Sequence, residues 1–257
     1  MENDKNNGTE IQFYSSIKLG VVEMRRLLSV SILLILILTG CRSSPFGQHV
    51  VIDWVDFIKW KGKTYDGIYS GALADKTFIG EKLGEVKFKV ADNVTNPEYK
   101  IRNGDAAFHE KGTEIFKIKG NPNLLAVKSS QAINGYKIYF SSDDIVYKWQ
   151  FPDLPIEKVN RIEIYKAYVP DAPKPIAEIK NPEQVSLFLQ ILKSSQTSPN
   201  FQPNTVKGDP DSYHMVLFTG DPVAYMYDLH FDGNTYFWYP SEPSILSNDI
   251  QTFLPAN

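Results

Sequence analysis

The chain has 257 residues, 42% of them hydrophobic and 22% charged, with a formal net charge of -3; these are the proportions of a globular protein with a real core, not of a disordered chain. There is no basic excess to neutralise phosphates, which argues against nucleic acid as a partner. Its one cysteine, Cys41, rules out an internal disulfide and a multi-cysteine zinc site, so packing must hold the fold.

Residues 1–23 are polar and mixed in charge. They read either as a cytoplasmic extension or as sequence upstream of a true start at Met24, and they are set aside from fold reasoning. From Met24 the chain shows two arginines, Arg25 and Arg26, then an apolar run from Leu27 to Leu38, then Thr39 and Gly40. Basic head, apolar middle and small residues are the anatomy of an export signal, here over residues 24–40. Leu27 to Gly40 is 14 residues, short of the about 20 that a helix needs to cross a bilayer.

The tetrad Leu38, Thr39, Gly40 and Cys41 closely resembles the lipobox of bacterial lipoproteins. The resemblance implies diacylglycerol on the Cys41 sulfur and a mature chain that begins at Cys41. Each buried CH₂ then contributes about 0.8 kcal/mol, and two acyl chains anchor stably where one is marginal. Residues 41–49 would be a tether, and the protein would sit on the outer face of the cytoplasmic membrane.

Beyond the tether the pattern is one of strands. Ile52, Trp54, Ile58 and Trp60 alternate on one face, and Lys61-Gly62 offers a turn into Lys63-Thr64-Tyr65, so a hairpin is expected. Glu85 to Val90 alternates without a break, with Val86, Phe88 and Val90 inward. Further strands are expected at Thr113–Lys119, Tyr136–Phe140 and Ile145–Phe151, with turn signals at Asn103-Gly104, Lys111-Gly112, Gly120-Asn121-Pro122 and Asn134-Gly135. Residues 50–151 therefore read as a small antiparallel all-β domain.

Pro152 and Pro155 cannot continue a central strand and mark a boundary. Residues 156–257 then read β-α-β-β-β-α, one antiparallel sheet with helices on one face, which makes the whole chain α+β and mostly β. The strands fall at Arg161–Tyr168, Ser212–Phe218, Val223–Phe231 and Thr235–Tyr239. Asn181-Pro182-Glu183 supplies an N-cap, a proline at the first helical position and an acid in the first turn, and Val185, Phe188, Leu189 and Leu192 form an apolar stripe. Ile245, Leu246, Ile250, Phe253 and Leu254 suggest a short final helix.

Catalytic constellations are sparse. Carboxylates crowd histidines in Gly208 to His214 and at Asp228-Leu229-His230; on a strand, Asp228 and His230 share a face, as a metal pair would require. Neither matches a known ligand spacing. There is no G-x-S-x-G elbow and no Gly-rich phosphate loop, and a lipidated Cys41 is no thiolate. Asp56 interrupts an apolar face, where an inward carboxylate could be tuned for acid-base work or could protect an edge strand. His49 and His109 lie in tether and turn contexts. No cofactor is expected.

Tyr225, Tyr227, Tyr236, Trp238 and Tyr239 fall on adjacent strands, and the opposite parity of Tyr236 and Tyr239 turns some of them outward, a candidate binding surface. With its lipobox and stretches such as Gly112 to Gly120, the chain resembles lipoproteins of Bacillus-type Gram-positive bacteria, a group without established catalytic residues. That implies location and a non-enzymatic role. The reading is a lipid-anchored extracytoplasmic binding module, contacting an envelope protein or peptide through the second sheet or the inter-domain cleft. The alternatives are a metal-assisted hydrolase on Asp228 and His230, and a solute-binding lipoprotein of a transporter.

Overall fold

The computed structural model describes residues 52–255, so the signal and Cys41 lie outside the described residues. The described residues form one compact unit, mostly β, with two eight-stranded sheets rich in antiparallel pairs.

The first sheet starts from the expected hairpin. Strands β1 (Phe57–Trp60) and β2 (Lys63–Gly67) are joined by Lys61 and Gly62, both at positive φ (47° and 85°), the two-residue turn whose twist matches that of the flanking strands. With β4 (Ile79–Glu85), β5 (Phe88–Lys89), β6 (Asp105–Ala106), β7 (Glu114–Ile118), β8 (Asn121–Lys128) and β9 (Tyr136–Ser141), the order is β4-β7-β8-β9-β2-β1-β6-β5. The two ends of that order are consecutive in the chain. Val86 N–H donates to Thr113 O (2.9 Å) beside β7, and Lys87 N–H donates to Gly104 O (2.8 Å) beside β6, so the sheet curls back on itself as a small barrel. Ile58, Tyr65, Val86, Ile115, Val127 and Tyr139 fill its interior.

Closure explains why the alternating stretch Glu85–Val90 is not one strand. The chain must leave one edge and join the other within two residues, which breaks the ladder at Val86-Lys87 and leaves Phe88 half-buried. Ile52 and Trp54 also depart from the expected face: they pack with Phe57, Val90 and Val94, outside the barrel interior that holds Ile58 and Trp60. Ile145–Phe151 pairs with no strand among the described residues. Ile145, Tyr147 and Trp149 do point inward with period two, but side chains take the place of a ladder: Ser70 Oγ (2.6 Å) and Tyr227 Oη (3.3 Å) both donate to Trp149 O. β8 was concealed by Pro122, which the sheet tolerates at the strand's exposed start.

The second sheet runs β11 (Pro175–Ile179), β10 (Arg161–Lys166), β13 (Asp211–Phe218), β14 (Val223–Phe231), β15 (Tyr236–Trp238), β16 (Ser244–Ile245) and β12 (Gln196–Thr197). β3 (Gly71–Leu73), from the first half of the chain, pairs antiparallel with β14 (Ala224 opposite Ala72). One side chain cluster spans both halves, with Leu124, Ile138 and Phe140 meeting Ile162, Leu217 and Tyr225.

Helix α1 (Pro182–Lys193) follows its sequence signals. Asn181 Oδ1 accepts from the N–H groups of Glu183 and Gln184, satisfying donors left free by the first turn, and Val185, Phe188, Leu189, Ile191 and Leu192 are buried. The final helix is a 3-10 segment, Asn248–Phe253, whose Phe253 ring meets Phe188 edge-on.

Candidate functional site

Asp56 is the carboxylate that broke an apolar face in the sequence, and it lies in the rim of the barrel with 2% of its surface exposed. Gly67, from the adjacent strand, donates its N–H to Asp56 O (2.9 Å). A Cβ at Gly67 would sit 2.8 Å from Asp56 Oδ2, so only glycine leaves room for the carboxylate. The Tyr139 hydroxyl donates to Oδ1 (2.9 Å, with Oδ2 at 3.1 Å), and the Lys137 ammonium pairs with Oδ2. Lys137 and Tyr139 reach the same carboxylate because they are two apart on β9 and share a face.

His109 completes the chain, its Nε2 standing 2.6 Å from the Tyr139 oxygen. Since Tyr139 gives its single hydrogen to Asp56, His109 must be the tautomer that donates from Nε2. Burial, ahead of the Lys137 charge, holds its pKa below the ordinary value, although the Asp56 charge acts the other way. Burial, reinforced by Asp56, keeps the Tyr139 phenol protonated. The set is a satisfied, directional relay that ends at a partly exposed ammonium.

That ammonium stands on the wall of a cleft of about 440 Å³ between the barrel rim and the second sheet. Tyr69 and Tyr168, 60% and 84% exposed, both line it; Lys137 Nζ is 5.3 Å from the Tyr69 ring centroid. Ala72, Ile133 and Met226 supply apolar surface, and His214 lies beside Tyr168 (ring centroids 6.3 Å apart). His214 Nδ1 is 2.6 Å from Asp228 Oδ1, its cross-strand partner.

The same strand pair carries the two residues considered for metal binding. Asp228 and His230 do share a face, but Asp228 is taken by His214, and His230 Nδ1 bonds Ser212 Oγ (2.9 Å) while its ring stacks on Phe237. Burial lowers the His230 pKa more than Asp228 raises it. Among the described residues no three His, Cys, Asp or Glu side chains converge as a metal site would require.

The chain matches no protein-family model, and no curated protein or solved structure shows significant similarity to it. The site is therefore argued from its geometry.

The five aromatic residues proposed from strand parity do not form one exposed surface. Tyr225, Tyr227, Tyr236 and Trp238 are buried, their faces turned to the barrel and to α1, whereas Tyr239 is 48% exposed. Tyr227 and Trp238 pack against Phe151, which explains the difference: parity separates two faces but does not say that both are covered. Cys41 lies outside the described residues. Tyr69 was missed because it lies in a connecting segment with no periodicity, and Tyr168 because the strand expected over Arg161–Tyr168 ends at Lys166. Asp56 was the one visible signal of the relay.

Proposed function

We propose that the protein is a lipid-anchored extracytoplasmic binding module, non-catalytic, held to the outer face of the cytoplasmic membrane by a diacylglyceryl group on Cys41. Its ligand is an envelope component, a peptide or small molecule, seated in the cleft between the two sheets. The observation that carries this reading is the cleft itself, a half-open recess of the size used for small ligands. Two exposed tyrosines stand on its walls, and its polar groups are held in place from behind by Asp56 and Asp228.

The finer architecture that goes with this reading is an antiparallel β unit ending near residue 151 and an α+β unit from residue 156, with helices on one sheet face, joined so that the seam between them forms the seat. Partners already bonded elsewhere support binding over hydrolysis: Asp228 and His230 are each held by a neighbouring side chain.

The address is tested by intact mass and membrane fractionation of the protein from a Gram-positive host beside Cys41→Ser. A mature start at Cys41 with added acyl mass, lost in the variant, is expected; an unmodified chain retaining residues 1–40 would refute it.

A further inference from the structure

The charges that line the cleft are of one sign. Among the described lining residues there is no Asp or Glu, whereas Lys137 and Lys166 are present, in a chain whose net charge is -3. Lys166 does not contribute its charge: its ammonium is 2.5 Å from Asp211 Oδ1 and 4.6 Å from the ring centroid of Tyr213. The strand register puts Lys166 opposite Tyr213, on the face turned away from His214.

Lys137 differs in where its ammonium stands: it is 5.3 Å from the ring centroid of Tyr69, which lines the cleft, whereas Tyr213 and Asp211 beside the Lys166 ammonium do not. Its side chain is 35% exposed although it pairs with Asp56. An ammonium has three donors and no acceptor; Asp56 takes one from behind, and N–H groups remain for an acceptor that enters from the cleft. His214 likewise commits Nδ1 to Asp228, which leaves Nε2. The carboxylates that would repel an anion thus stand behind the side chains they orient.

This step rests on the cleft being the ligand seat. From the one-signed lining we infer that the cleft takes a small organic oxyanion, a carboxylate or a phosphate monoester on a compact apolar body, with Lys137 Nζ as the anion contact. Asp56, Tyr139 and His109 are positioning residues that fix the direction of the remaining Lys137 N–H groups. Ala72, Ile133 and Met226 and the rings of Tyr69 and Tyr168 receive the apolar body. Since Asp56 cancels the Lys137 charge at a distance, recognition is short-range and directional.

The test is a ligand-observed NMR titration of the detergent-solubilised full chain with benzoate, phenyl phosphate and benzamide, which share a ring and differ in charge. At least one oxyanion is expected to bind about tenfold or more tighter than benzamide, as a hydrogen bond to a charged group requires; which of the two does so tells carboxylate from phosphate. Lys137→Gln should erase the preference, while Lys137→Arg and Lys166→Gln should keep it. Tyr139→Phe should weaken the oxyanions several-fold and leave benzamide unchanged, which a general loss of structure would not do. Equal binding of benzamide, or a preference that survives Lys137→Gln, overturns the oxyanion assignment and leaves the seat standing. Failure of all three probes overturns the assignment too, and the seat is then judged separately by photo-cross-linking from position 168.

Discussion

Replacing Tyr139 by phenylalanine removes one oxygen from the middle of the relay and almost no volume, so no cavity term enters. Two interactions go with it. Asp56, 2% exposed, loses the hydroxyl at 2.9 Å, a hydrogen bond to a charged group of about 1.5–3 kcal/mol. His109, less completely buried, loses the acceptor at 2.6 Å, and its stranded N–H adds about 1 kcal/mol, the low end of the penalty for an unpaired donor. The variant should therefore be about 2.5–4 kcal/mol less stable in urea at pH 7.5, with an unchanged denaturant slope. That loss is smaller than the about 5–15 kcal/mol that holds a typical domain, so the variant still folds. Tyr69→Phe, at an exposed site, should stay within about 0.5 kcal/mol of wild type. The double variant Tyr139→Phe/His109→Leu should cost less than the sum of the single changes, since it removes both ends of one hydrogen bond. A loss under about 1 kcal/mol for Tyr139→Phe, or strict additivity, would show that the hydroxyl does not join Asp56 to His109.

Burial holds the pKa values of His109 and His230 below the usual value near 6.5. The unfolded chain therefore binds protons that the native state does not, so stability is full above about pH 6.5 and falls as the pH drops toward the native pKa values; His109→Gln should flatten that slope in a urea series. Gly71 seats β3 against β14, and a Cβ there would meet Ile68 Cγ2 at 2.7 Å and Val223 Cγ1 at 2.8 Å. Gly71→Ala should cost about 1–3 kcal/mol by overpacking, and a neutral result in thermal unfolding would mean that the strand pairing is loose. Asn181→Ala should remove about 1 kcal/mol through the lost helix cap, read in the same assay.

Local chemistry in this sequence is legible where it is self-contained. The Lys61-Gly62 turn, the Asn181 cap with its apolar stripe, and β14 over Val223–Phe231 all follow from residues a few positions apart. What period and turn chemistry do not carry is which segments meet. Val86, Phe88 and Val90 alternate like a strand, yet closure of the barrel interrupts them; Ile145, Tyr147 and Trp149 alternate without a strand partner among the described residues. The relay shows the same limit. Asp56 and Tyr139 are 83 positions apart, and only the pairing of β9 with β2, with Gly67 opposite Tyr139, brings the phenol to the carboxylate. An inward acid in a strand is a visible anomaly, while its partners are set by topology.

The central claim is that the cleft between the sheets is where this protein holds its ligand at the cell envelope. The most direct measurement places a photoreactive amino acid at Tyr168, on the cleft wall, and separately at Val206, exposed on the surface and outside the cleft lining, in the anchored protein on intact Gram-positive cells. A discrete added mass from position 168 and none from position 206 is the result this account predicts. No adduct at 168, or the same adduct from both positions, would contradict it.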